Sequence, residues 1–226
     1  SNSDSTAHRT INGLVQPVMT MRPGETQLWH LGNLSADIWY DLEMPGLTFS
    51  VIAVDGNPVD KVQEATTLLM PPARRFDVLV QARHAGIYQL ITREMTTGPD
   101  GDTYPRTLMA TLSVRGTPVA PVALPEQIQP LDNLADAIVS RRRVFELSEN
   151  TTTGLFFINE KECEPNHVDA TPVIGTVEEW VFRNRSQELH PIHVHVNDAQ
   201  VMSVNGVPQQ ANSWLDTIPI PYATQN

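Results

Sequence analysis

The second half of the chain repeats the first. Gly24-Glu25-Thr26-Gln27-Leu28-Trp29-His30-Leu31-Gly32-Asn33-Leu34-Ser35 is answered by Gly175-Thr176-Val177-Glu178-Glu179-Trp180-Val181-Phe182-Arg183-Asn184-Arg185-Ser186, each with a Trp, an Asn four residues on and a Ser two beyond it. Ile11-Asn12 is answered by Ile158-Asn159. Val51-Ile52-Ala53-Val54-Asp55-Gly56 is answered by Val201-Met202-Ser203-Val204-Asn205-Gly206, and the closing glycine falls 21 residues after the shared Ser in one copy and 20 in the other. Self-similarity of this kind is the mark of a duplicated structural unit, so the 226 residues are read as two related domains.

Each copy is patterned as β-structure. Eighteen prolines and twelve glycines punctuate short runs rich in Val, Ile, Leu and Thr, among them Phe49-Ser50-Val51-Ile52-Ala53-Val54, Phe76-Asp77-Val78-Leu79-Val80 and Tyr88-Gln89-Leu90-Ile91-Thr92. Short runs bounded by Gly, Pro or Asn at such spacing predict an antiparallel sandwich. Pro118, Pro121, Pro125 and Pro130 cannot sit in a continuous ladder, and the stretch around them reads as an ordered, polyproline-like linker. The expected division is therefore a first domain over 1–116, a proline-rich linker over 117–140 and a second, partial domain over 141–226.

Composition narrows the function classes. Hydrophobic residues at 40% and charged residues at 18% describe a chain able to bury a core. No stretch approaches the roughly 18 consecutive apolar residues of a membrane helix. A net charge of −11 argues against nucleic acid or an anionic membrane surface as a partner, and the short Arg141-Arg142-Arg143 run reads as a solvated strand entry. The single cysteine, Cys163, excludes an internal disulfide framework and reads as a small, partly buried hydrophobe. Ser1-Asn2-Ser3-Asp4-Ser5-Thr6 lacks the apolar region of a signal peptide and reads as a processed or engineered end. Asn33-Leu34-Ser35, Asn150-Thr151-Thr152 and Asn184-Arg185-Ser186 fit the glycosylation triplet.

The copies part company four residues after the shared Ser, where the first has Trp39-Tyr40-Asp41-Leu42 and the second has His190-Pro191-Ile192-His193-Val194-His195. On an extended strand, residues two apart share a face roughly 7 Å apart, so His193 and His195 suit two neighbouring metals better than one. Pro191 interrupts the alternation and lets His190 address a different centre. The second copy is also short: 60 residues follow Gly56 before the linker, but 20 follow Gly206. Missing strands leave edges unpaired, so completion by a longer parent or a second polypeptide is expected.

These residues resemble the multicopper oxidases, the laccase and bilirubin-oxidase superfamily of three cupredoxin-like domains. Asn12-Gly13, Pro23-Gly24-Glu25, Asp55-Gly56-Asn57-Pro58 and Pro71-Pro72-Ala73-Arg74-Arg75-Phe76-Asp77-Val78-Leu79-Val80 look like the family's middle domain, which binds no copper. Gly175-Thr176-Val177-Glu178-Glu179-Trp180 and the His-Pro-x-His-x-His run look like the opening half of its last domain.

The resemblance implies an all-β fold of cupredoxin-like Greek-key sandwiches, one complete and one partial. It implies that His190 is a ligand of type 1 copper, His193 of type 2 copper and His195 of the type 3 pair. In the family, electrons taken singly from a substrate at type 1 copper reduce dioxygen to water at the trinuclear cluster. Imidazole suits copper, and a ligating His needs its second ring nitrogen held by an acceptor, which the sequence does not identify. The implied partners are dioxygen and a small reducing substrate, whether phenol, pyrrole or metal ion, and the implied location is periplasmic or extracellular. The family's closing His-Cys-His motif and its first domain are absent, so this stretch by itself is expected to be inactive, a part of a copper-dependent oxidoreductase. An alternative is a cupredoxin-fold structural or interaction protein without oxidase chemistry. A cupin-like mononuclear site ranks last, because Val196-Asn197-Asp198-Ala199-Gln200 offers no Glu.

Overall fold

The computed structural model describes residues 8–223, so Ser1–Ala7 and the last three residues lie outside the described residues. Among the described residues there is no helix, and hence none long and apolar enough to cross a membrane. The chain divides into two compact units. One runs to Thr96 and takes in Asp102–Asp132 and His193–Thr217; the other comprises Thr97–Gly101, Asn133–Ile192 and the chain from Ile218.

The first unit is a two-sheet sandwich built from β1 (Val18–Met21), β2 (Thr26–Gly32), β3 (Tyr40–Glu43), β4 (Phe49–Val54), β5 (Asn57–Ala65), β6 (Thr67–Met70), β7 (Arg75–Gln81), β8 (Gly86–Thr92), the short β9 (Met95–Thr96) and β10 (Thr103–Tyr104), and β11 (Thr107–Val114). One sheet has the order β1-β11-β8-β3-β6 and the other β2-β7-β4-β5. Only the β1–β11 pairing in these two sheets is parallel. The period of two along β7 buries Val78 and Val80. They join Phe49 of the neighbouring β4 and Leu90, Met70 and Leu112 of the facing sheet in one core, each such side chain stabilising the fold by about 1.5–3 kcal/mol.

The proline-rich segment lies along this unit. Val119 N–H donates to Pro23 O at 2.9 Å, Gln81 Nε2 to Val122 O at 3.0 Å and Val62 N–H to Glu126 O at 3.0 Å. Gly24, at φ +82°, is the close approach that allows this, since a Cβ there would meet Val119 O at 2.0 Å.

The second unit carries β12 (Val139–Asn150), β13 (Leu155–Ile158) and β14 (Val177–Asn184), in the order β13-β12-β14 with β12 and β14 parallel. β15 (His190–His193) pairs with β18 (Thr217–Ile220), and the small hairpin β16 (Ser203–Val204) and β17 (Val207–Pro208) lies between them in sequence. The arginine run opens β12, but Arg143 is not a solvated end. It makes a two-pronged ion pair with Glu178 across to β14, at 2.6 and 3.0 Å.

Hydrogen bonds from Arg143, and then from Trp180, hold the Glu178 carboxyl down to about 2. A carboxylate depressed in the folded state contributes stability that is fully present above its unfolded pKa and lost as pH falls toward the folded one. Acid melts are therefore expected to show a loss of stability between pH 4.5 and about 2 that Glu178→Gln removes. Parallel melting curves for the two proteins across that window would refute this.

Candidate metal centre

The repeat is visible as matching local devices. Trp29 Nε1 donates to Gln27 Oε1 at 3.1 Å, and Trp180 Nε1 to Glu178 Oε2 at 3.0 Å, because residues two apart share a strand face. Asp55-Gly56 and Asn205-Gly206 both take positive φ at both positions, as a tight hairpin turn of the primed type requires. The Asn-x-Ser triplet closes an Asx turn in each copy. Asn33 Oδ1 accepts from Ser35 N and Oγ at 3.1 and 2.6 Å, and Asn184 Oδ1 from Ser186 N and Oγ at 3.0 and 2.7 Å. Asn33 is only 3% exposed, so this glycosylation triplet is a structural turn and not an accessible acceptor.

The second Asx turn delivers the chain to β15. Trp39, at the place equivalent to His190, is a core residue with 3% exposure, whereas His190 is half-buried with its Nε2 2.8 Å from Ser186 Oγ. The Ser186 hydroxyl proton has acceptors in Asn184 Oδ1 at 2.7 Å and Glu188 O at 3.1 Å; given to either, it leaves Ser186 Oγ to accept the Nε2 proton of His190 and leaves the Nδ1 lone pair of the ring open. Burial lowers the His190 pKa and favours the neutral ring, against whose plane Phe156 packs edge-on at 5.6 Å.

His193 ends β15. The strand runs unbroken through Pro191, so His190 and His193 face opposite ways because they are three apart on one strand, not because the proline breaks the alternation. His193 Nδ1 lies 3.0 Å from the Asp216 carbonyl oxygen and 3.0 Å from Thr217 Oγ1. A carbonyl only accepts, so Nδ1 carries the proton and Nε2 keeps its lone pair, the arrangement a metal-binding His would need. His195 lies beyond the end of the strand, and its ring turns toward that of His193, with centroids 4.5 Å apart in an edge-to-face arrangement.

Among the described residues no three His, Cys, Asp or Glu side chains gather as a metal-binding group. The structure brings His193 and His195 together and leaves His190 on the other face. Cys163 is exposed rather than partly buried, and it takes no part. Neutral imidazoles with one nitrogen held and the other open fit copper in donor type, though they supply only part of a ligand set. Of the supports of His193, Asp216 and Thr217 went unread in the sequence, whereas Asp55, Arg74 and Arg75 stood there only as parts of motifs that resemble the family's middle domain.

The model of the multicopper oxidase family matches residues 2–116, and a second multicopper oxidase model matches residues 135–225. A multicopper oxidase LPR1 homolog of Oryza sativa is 25% identical over 211 residues, covering 88% of this chain and 36% of that protein. The laccase of Bacillus subtilis is 25% identical over 204 residues, 85% of this chain and 38% of the relative. The solved structure of a multicopper oxidase from Campylobacter jejuni, described as a metallo-oxidase, superposes with a TM-score of 0.80 at 21% identity, over 94% of this chain and 49% of that one. The chain thus spans less than half the length of the curated relatives it matches, and the solved neighbours have the expected cupredoxin-like fold.

Proposed function

Because the chain belongs to the multicopper oxidase family, we propose that it is part of an oxidase coupling one-electron oxidation of a small reducing substrate to the reduction of dioxygen to water. In this reading 1–116 is a copper-free cupredoxin-like domain, 117–140 a linker and 141–226 the opening of a copper-binding domain. His190 holds type 1 copper through Nδ1, and His193 and His195 belong to the type 2 and type 3 centres. Bound copper supplies the electron transfer and the dioxygen chemistry. This chain's residues orient the ligands: Ser186 fixes the His190 tautomer, and the Asp216 carbonyl fixes that of His193.

The observation that carries the proposal is that His190 and His193 stand three residues apart on one four-residue strand, an odd spacing that assigns them to opposite faces. Two centres on two sides of β15 need that arrangement, and a core strand does not. The remaining ligands come from polypeptide outside these residues, in line with the share of the relatives that the chain covers. Phenols, pyrroles and reducing metal ions are the substrate classes proposed, and an exported location, periplasmic or extracellular, belongs to the same proposal.

The test is copper counting on the full-length protein after metal loading. Several coppers per chain with blue absorbance are expected, and a full-length protein that stays copper-free overturns the reading. That second outcome would favour a non-catalytic structural or interaction protein.

A further inference from the structure

We propose that Arg75 and Asp216 are positioning residues for His193, an ion pair whose task is to hold the ring with its proton on Nδ1 and its Nε2 lone pair outward. The proposal rests on the reading of His193 as a copper ligand. Three oxygens face Nδ1: the Asp216 carbonyl at 3.0 Å, Thr217 Oγ1 at 3.0 Å and Asp216 Oδ1 at 3.3 Å. The carbonyl also accepts Val194 N–H at 2.9 Å, which leaves one lone pair for the ring. Thr217 Oγ1 gives its proton to Asp216 Oδ1 at 2.8 Å and so meets the ring as an acceptor. All three select the same tautomer.

The ledge that carries these oxygens is held by the first half of the chain. Arg75 grips the Asp216 carboxylate with both prongs, Nη1 to Oδ1 at 2.8 Å and Nη2 to Oδ2 at 2.7 Å, the fork geometry that a lysine cannot reproduce. Asp55 Oδ2 accepts Thr217 N–H at 3.1 Å, and Arg74 Nη2 donates to the Thr217 carbonyl. Burial works to raise the Asp216 carboxyl, but hydrogen bonds from Arg75 and Thr217 outweigh it and keep the group below its ordinary value.

The repeat separates this task from the general fold. Both copies make the same hairpin turn, yet Asp55 has a fully buried carboxylate where Asn205 is exposed. A primed turn accepts either residue, so the charge at 55 answers to Arg74 and Thr217 and not to the turn.

The experiment is ring-nitrogen NMR on the full-length protein, labelled at histidine, before metal loading and at a pH where the ring is neutral. Wild type is expected to show His193 in the Nδ1–H form. Asp216→Ala removes a facing oxygen and the anchor of Arg75, and should shift the tautomer ratio about tenfold, the equivalent of one hydrogen bond of about 1.4 kcal/mol. Arg75→Gln leaves every oxygen around the ring in place and removes only the anchor, so a shift in the same direction there separates positioning from simple loss of an acceptor, and Arg75→Lys should restore it only in part. Copper affinity after loading should fall 10–100-fold in both anchor variants. An unchanged tautomer ratio in Asp216→Ala and Arg75→Gln overturns the positioning role even if His193→Ala loses copper. If His193→Ala keeps its full copper count, the ligand reading fails, and the positioning role fails with it.

Discussion

Replacing Asp55 by alanine is expected to cost the protein about 3–5 kcal/mol of stability, the range for removing one member of a buried ion pair. Its carboxylate is 0% exposed and the Arg74 guanidinium opposite, 3.4 Å away, is 7% exposed. Burial pushes the Asp55 carboxyl up against the pull of Arg74, and the backbone N–H groups of Arg75 and Thr217 add to that pull. Without Asp55, Arg74 becomes a buried charge whose Nε already lacks a partner, and Thr217 N–H loses its acceptor. Asp55→Asn retains an acceptor oxygen and should cost less, about 1–3 kcal/mol. The double variant Asp55→Leu with Arg74→Met should recover only part of the loss: exchanging a buried pair for apolar residues is often close to neutral, but Thr217 N–H still lacks its acceptor and the leucine takes up a φ of +53°. Urea unfolding midpoints measure all three. A cost below about 1 kcal/mol for Asp55→Ala would mean that the Arg74 charge is compensated elsewhere.

The sequence shows those parts of the molecule that repeat or that obey a local rule. The Asn-x-Ser turns, the Trp pairs and the Asp-Gly and Asn-Gly hairpins depend on residues two to four apart, so duplicated residues produce duplicated geometry. The sandwich follows from period-two burial in strands such as β7. Other features depend on partners distant in sequence. Asp216 meets Arg75 across 141 residues, and Asp55 meets Thr217 across 162, and no spacing rule joins them. The histidine strand lies between these cases. Its residue types and order pointed to ligands, but the direction of each ring is set by Ser186 and Asp216, through hydrogen bonds a linear pattern does not specify. The arginine run shows the same limit: its register against β14 gives Arg143 a carboxylate partner in Glu178 and leaves Arg142 a looser one in Glu179.

In the copper-loaded full-length protein, His190→Ala and His193→Ala are expected to fail in different ways. His190→Ala should take away the blue absorbance and slow substrate oxidation by more than about a hundredfold, since even a residue that merely orients a ligand is worth 10–100-fold. His193→Ala should keep the blue absorbance and lose dioxygen consumption. The separation follows from the strand: residues three apart on β15 address opposite sides, and each ring presents a different nitrogen because a different oxygen holds the other one. Absorbance spectra, copper counts and oxygen uptake on the two variants distinguish the cases. If both variants lose the same copper to the same extent, the two histidines serve one centre, and the opposed faces of β15 would then be a property of the strand with no consequence for the metal.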